Sequence, residues 1–311
     1  MNMVVMTRTA AIGMSLAAAL LATTVACSSS TDSGGDDLRV VAAFYPLAWM
    51  AEQVAGDVAR VETLTKPGAE PHDLELTPQD VATMTEADLV VYLATFQPAV
   101  DEAVAREAED RAYDVTPDAS LDLTYTPIEE GKDSGEAGTV DTHFWLDPLR
   151  LADVGDAFAA RLGDADPENA QGFLDNAATL RTSLEELDVE IATALTSCQQ
   201  HDLVTSHTAF GYLAQRYDME QVGITGLVPE EEPSPPELAA VSDFVRANGV
   251  RTIYYETLVS PAVAETLARE TGATTAVLDP LEGLTEESSG GDYIEVMRTN
   301  AQTLQRGQGC A

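Results

Sequence analysis

Basic residues are scarce: 16 Lys and Arg stand against 53 Asp and Glu among 311 residues, a formal net charge of −37 at pH 7. Phosphate-backbone binding draws its free energy from Lys and Arg displacing counterions, so this surface excludes nucleic acid as a partner. The excess acid reads as a solubility or salt adaptation of the whole surface, with a weak attraction for cations. Only three cysteines occur, with no C-x-x-C pair, so the common thiolate metal sites are missing. H-E-x-x-H, G-x-S-x-G and glycine-rich phosphate loops are absent too, which argues against a zinc or serine hydrolase and against a nucleotide enzyme. What is present is globular: 45% hydrophobic residues, and 21 Gly and 15 Pro spread without a period. The length is about twice that of a typical domain, which predicts two.

Residues 1–26 carry one charged side chain, Arg8, ahead of the apolar and small-residue run Ala10 to Ala26. That run has the length of a signal-peptide core rather than of a membrane span. Thr24-Val25-Ala26-Cys27 resembles a bacterial lipobox, with Thr24 where Leu is usual, and makes Cys27 the candidate lipidated residue. Residues 27–37 are polar and glycine-rich, a flexible tether. No later stretch is long and apolar enough to span a bilayer, which places everything after residue 37 outside the cytoplasmic membrane as a soluble body. In that oxidising compartment Cys198 and Cys310 are expected to form a disulfide. Closing a loop on the order of 110 residues contributes roughly 4–5 kcal/mol in the loop-entropy picture.

The rest of the chain alternates strand and helix signals, which predicts an α/β fold of two small lobes with parallel sheets. In the first lobe, residues 38–165, Leu38 to Phe44, Val58 to Leu64 and Leu89 to Leu93 read as strands. Helices open at Pro46, at Thr77-Pro78 and at Pro98. The second lobe, residues 197–311, repeats the pattern with strands at Leu203 to Thr205, Val250 to Tyr255 and Thr274 to Leu278. Between the lobes, Phe173, Ala177, Leu180, Leu184, Leu187, Ile191 and Leu195 recur at three and four residues. They predict one continuous helix over residues 166–196, about 30 residues and roughly 45 Å long.

Of four histidines, three end recognisable segments: His72 in Pro71-His72-Asp73, His143 in Thr142-His143-Phe144-Trp145 and His207 in Thr205-Ser206-His207. Neutral imidazole is the commonest zinc ligand, which makes the three a candidate set. His201, in a polar stretch, reads as a solvated turn residue. His207, Glu256 and Asp279 each follow a second-lobe strand, and ligands of parallel sheets gather at that edge. A site between the lobes with ligands from both is the natural arrangement.

Pro67-Gly68-Ala69-Glu70-Pro71-His72-Asp73-Leu74-Glu75-Leu76-Thr77-Pro78, Asp141-Thr142-His143-Phe144-Trp145-Leu146-Asp147-Pro148, Ser206-His207-Thr208-Ala209-Phe210-Gly211-Tyr212 and Leu278-Asp279-Pro280-Leu281 follow one another in order. Together they closely resemble the metal-binding substrate-binding proteins of zinc and manganese ABC transporters, over essentially all of Leu38 to Cys310. The resemblance implies two lobes joined by a rigid helix and a metal held by His72, His143, His207 and Asp279. Glu256 is the reserve ligand or the partner of one. It further implies a monomer that captures zinc outside the membrane and presents it to a transmembrane permease, with no catalysis of its own. Manganese uptake, or service as a metal-binding adhesin or chaperone, is the alternative. Three imidazoles and one carboxylate suit zinc better than manganese, which favours more oxygens. Zinc-binding relatives often carry a His-rich loop before the second histidine motif. Here residues 129–138 are acidic and without histidine, which reads as a solvated loop lacking auxiliary metal sites.

Overall fold

Two four-stranded sheets, every pairing parallel, carry the structure, a computed structural model that describes residues 38–128, 138–229, 232–285 and 288–311. The expected signal peptide 1–26, Cys27, the tether 27–37 and nearly all of the acidic loop lie outside the described residues. The described residues form one compact unit. Among the described residues no helix is long and apolar enough to cross a membrane.

The first sheet contains β1 (Leu38–Ala42), β2 (Ala59–Thr63), β3 (Leu89–Tyr92) and β4 (Ala112–Asp114), in the order β2-β1-β3-β4. Its central strands are runs of buried Val and Leu because helices cover both faces of a parallel sheet. Crossovers are α1 (Tyr45–Ala55), α2 (Pro78–Glu86) and α3 (Pro98–Ala103). Thr77 caps α2 by accepting from the Asp80 N–H while the Asp80 carboxylate accepts from the Thr77 N–H, the reciprocal box that Thr-Pro foretells. The helix that opens at Pro98 runs on without a break from α3 into a π turn at Val104–Ala108 and a 3-10 turn at Glu109–Arg111.

The second sheet repeats the order as β6-β5-β7-β8, from β5 (Asp202–Thr205), β6 (Glu220–Gly223), β7 (Thr252–Tyr255) and β8 (Thr274–Val277). Its helices are α6 (Gly211–Arg216), α7 (Pro235–Asn248), α8 (Ala262–Thr271) and α9 (Tyr293–Gly307). The edge strands β4 and β6 carry no strand signal of their own. At three and four residues they are too short to show a period, and they form because a neighbour offers a ladder.

Two helices lie between the sheets. α4 (Pro148–Ala165) escapes the sequence reading, although Asp147-Pro148 is a start signal: the Asp147 carboxylate accepts from the Leu149 N–H at 2.9 Å. The linking helix α5 is shorter than expected, Ala170–Ala194, and about 37 Å long at 1.5 Å per residue. Asp166 does not start it. Its carboxylate instead accepts from the Asn169 side chain at 2.6 Å, closing a turn that reverses the chain out of α4. The expected apolar positions of α5 are all buried. The N-terminal half is tied to the first lobe by Asn176, which donates to the Val54 carbonyl at 3.0 Å. The C-terminal half is tied to the second lobe, where Arg216 and Arg298 donate to Asp188 and Glu190. One core runs from the first sheet through α4, α5 and α9 into the second lobe, so the two sheets do not bury separate interiors. A smaller core of Val204, Ile224, Val241, Val245 and Ile253 fills the far face of the second sheet. The expected Cys198–Cys310 disulfide is formed and joins the end of the chain to the residues just before β5.

Candidate metal centre

His72 sits in the loop between β2 and α2. That loop is anchored by Gln97, which follows β3 and donates through Nε2 to the Pro71 carbonyl at 3.1 Å and to Thr65 Oγ1 at 3.0 Å. Thr65 in turn donates to the carbonyl of Ala43, just beyond β1, at 2.9 Å. The carboxyl ends of the two central strands thereby hold the first imidazole, whose ring also meets Phe96 edge-on at 4.5 Å.

His143 precedes a single 3-10 turn, Phe144–Leu146, and is fully buried. Asp141 receives both its backbone N–H at 2.9 Å and its ring Nδ1 at 2.8 Å. With Nδ1–H donated to the carboxylate, Nε2 keeps its lone pair for a ligand. Asp141 is itself held across the lobes, because Tyr212 donates its hydroxyl to the Asp141 carbonyl at 2.9 Å.

His207 follows β5, and Glu256 follows β7. The chain leaves β5 for β6 on one side, whereas β7 pairs on the other, so the two residues flank the point where strand order reverses and a crevice opens. His207 Nδ1 lies 2.7 Å from Glu256 Oε1, and the Ser206 hydroxyl donates to the same oxygen at 2.7 Å. Glu256 is thus the orienting partner of His207, and its Oε1 is engaged by that ring and by Ser206.

The three Nε2 atoms converge on Glu282. Its Oε1 lies 3.5 Å from His72, 3.2 Å from His143 and 3.3 Å from His207. One donor atom from each of the four residues lies within 4.8 Å of all the others, and no second such group occurs among the described residues. Ligands at about 2.0–2.1 Å from a tetrahedral zinc are separated from one another by about 3.3 Å. The spacing therefore matches a four-coordinate shell better than three contacts of a carboxylate with histidines. All three Nε2 atoms and both Glu282 oxygens are buried without a hydrogen-bond partner, a costly arrangement that a shared cation would relieve.

Asp279, expected as the fourth ligand, is not in this group. It lies two residues beyond β8, at the strand's carboxyl end as expected, but its Oδ1 accepts from the Leu281 N–H at 2.8 Å. The chain then reverses at Leu281, whose φ of 59° is left-handed, and the acid three residues on points into the site instead. The signal available in the sequence was an acid set among Pro280, Leu281 and Leu284, a place where a solvated Glu is unexpected. His201 lies apart, exposed, with Nδ1 2.6 Å from the Asp218 carbonyl.

Burial lowers the His72 imidazole below its ordinary range. Burial pulls His143 down as well, but its hydrogen bond to Asp141 and the nearby Glu282 carboxylate leave it raised. His207 is affected most: burial opposes its charge, yet Glu256 and Glu282 carry it well above the usual value. For Glu282 burial favours the proton, and the three imidazoles outweigh it, leaving the carboxyl well below its usual range. Asp279 lies on the other side of the balance, since burial pushes it up to about 6. The centre thus favours an anion at Glu282 and positive charge beside it.

The family described as zinc-uptake complex component A, periplasmic, matches residues 40–307. The chain is 35% identical to the high-affinity zinc uptake system protein ZnuA of Bacillus subtilis, over 94% of its own length and 96% of that protein. It is 38% identical to the zinc-binding lipoprotein AdcA of Streptococcus pneumoniae over 91% of its length, and spans 58% of that longer protein. Among solved structures, the Zn(II)-bound ZnuA-like domain of the same AdcA superposes with a TM-score of 0.71 at 36% identity, covering 88% of this chain and 99% of that one.

Proposed function

The chain belongs to the zinc-uptake complex component A family, and from that premise we propose how its own residues do the work. It is the zinc-binding, substrate-binding component of an ABC uptake system. In this reading His72, His143, His207 and Glu282 hold the ion, one carboxylate and three imidazoles drawn from both lobes. The convergence of three unpartnered Nε2 atoms on one buried carboxylate carries the assignment. Asp141 and Glu256 fix which ring nitrogen of His143 and His207 faces the ion. Three nitrogens and a single carboxylate favour zinc over manganese, and four donors leave no open position for a hydrolytic water, which supports capture without catalysis.

The remaining organisation follows the sequence: a signal peptide over 1–26, a lipid anchor at Cys27, a tether to 37, and lobes 38–165 and 197–311 flanking the linking segment 166–196. The protein acts as a monomer at the outer face of the membrane and hands zinc to a permease, while another subunit hydrolyses ATP. Trp145 donates through Nε1 to the Pro280 carbonyl at 2.8 Å, and Tyr293 donates to the Trp145 carbonyl at 2.5 Å. With α5 bonded to both lobes, these ties oppose a wide opening, so loading and release proceed by local loop movement.

The test offers equal zinc and manganese to metal-stripped protein, beside a His207→Ala variant, and counts bound ions by mass spectrometry. One zinc per chain, lost or greatly weakened in the variant, is expected. Preference for manganese, or indifference to His207, overturns the reading.

A further inference from the structure

Asp279 and Asn300 grip the turn that delivers Glu282. The Asp279 N–H donates to Asn300 Oδ1 at 3.0 Å, and Asn300 Nδ2 donates back to the Asp279 carbonyl at 2.7 Å, so α9 holds that residue's backbone from both sides. The Asp279 carboxylate accepts the Leu281 N–H at 2.8 Å, while Trp145 of the first lobe holds the Pro280 carbonyl between them. Every residue from Asp279 to Glu282 is buried, Leu281 and Glu282 completely. Leu281 occupies the left-handed region, which a leucine rarely adopts unless its surroundings impose it. Among the described residues, the one after it is the only carboxylate that meets all three imidazoles.

We propose that Asp279 is a positioning residue for zinc: its carboxylate, braced by Asn300 through the backbone, holds Leu281 in the left-handed conformation that aims Glu282 at the three histidines. This rests on the ligand set proposed above. The role needs a hydrogen-bond acceptor at residue 279 and not a charge. A side-chain amide oxygen accepts the same N–H in the same place, whereas a methyl group cannot. Groups that orient metal ligands typically contribute 10–100-fold to affinity, which sets the scale of the effect.

The experiment compares wild-type protein with Asp279→Asn, Asp279→Ala and Glu282→Gln. Zinc affinity is measured by chelator competition, the visible absorption of the cobalt(II)-loaded proteins reports coordination, and thermal unfolding of the metal-free proteins reports folding. Asp279→Asn is expected to keep wild-type affinity and a wild-type cobalt spectrum. Asp279→Ala is expected to bind zinc about 10–100-fold more weakly, with a cobalt spectrum shifted towards that of Glu282→Gln. If Asp279→Asn loses as much as Asp279→Ala, the charge itself is needed and the positioning role is overturned. Unchanged affinity in Asp279→Ala overturns it as well. Where the alanine variant fails to fold, Asp279→Leu, which fills the same space without an acceptor, takes its place, and unchanged zinc affinity there overturns the role. Wild-type affinity in Glu282→Gln instead overturns the ligand set, which separates that failure from this one.

Discussion

His207 and Glu256 meet across the reversal of strand order in the second sheet, with imidazole Nδ1 2.7 Å from carboxylate Oε1. The contact fixes the tautomer of a ring whose other nitrogen lies 3.3 Å from Glu282 Oε1. The same device recurs at His143, where Asp141 takes Nδ1 at 2.8 Å. His72 is held differently, through the backbone of its loop and its packing on Phe96.

Removing the orienting carboxylate leaves the ligand in place but lets the ring turn and lowers its basicity. Glu256→Ala is expected to weaken zinc binding by about 10–100-fold, with Glu256→Gln in between because an amide oxygen still accepts from Nδ1–H. Chelator competition measures it; an alanine variant with wild-type affinity refutes the orienting role.

In the proposed site, protons compete with zinc for the same imidazoles. Unperturbed histidines near 6.5 would give an affinity that levels off above about that pH. His207, carried well above this value once Glu256 and Glu282 outweigh burial, holds its proton to higher pH than a free imidazole does. Zinc must displace that proton, so apparent affinity is expected to go on rising with pH above the range where free histidines lose theirs, and to fall as pH drops. Calorimetry in buffers of different ionisation enthalpy should record proton release on binding at neutral pH; no release would count against it.

Asp188 on α5 accepts from Arg216 at 2.5 and 2.9 Å and from the Tyr217 hydroxyl at 3.0 Å, tying the linking helix to the second lobe. Arg216 holds its carboxyl below the usual range. A depressed acid contributes stability that is present above its unfolded value, near 3.9, and is lost as pH falls through the folded value. Asp188→Ala is expected to cost about 1–2 kcal/mol at neutral pH. In urea unfolding, the gap to wild type should narrow in acid; an equal gap at both pH values would show that the ion pair is not its source.

The Cys198–Cys310 bridge spans 112 positions. Replacing both by Ser is expected to cost up to about 4–5 kcal/mol, seen as a lower melting temperature. Zinc affinity should hold, because Gln308 still accepts from the Gln199 and Gln200 N–H groups, each at 3.1 Å, and donates to the Asp202 carbonyl at 3.0 Å. A variant equally stable to heat would show that the bridge adds nothing.

Much of this is legible in the sequence. Strand and helix periods are local, so the parallel α/β character, the cap at Thr77 and the buried stripe from Phe173 to Leu195 could be read along the chain. The three histidines were legible because imidazole is rare here and each one ends a segment. What escaped was α4, whose start at Asp147-Pro148 is visible in hindsight, and the edge strands β4 and β6, which exist only because a neighbour offers a ladder.

The carboxylate beside the histidines shows the division most clearly. Leu278-Asp279-Pro280-Leu281-Glu282 places two acids three residues apart after a strand, and the strand-end rule favours the first. Which acid reaches the histidines depends on Leu281 adopting φ of 59°, and that conformation is imposed by bonds from residues 280 and 281 to distant or reversed partners. Residue types and local periodicity were sufficient to specify the lobes, the disulfide and the imidazoles. The carboxylate that meets those imidazoles was settled by packing between Trp145, Asn300 and the turn, because a backbone reversal held by long-range contacts leaves no periodic trace in the chain.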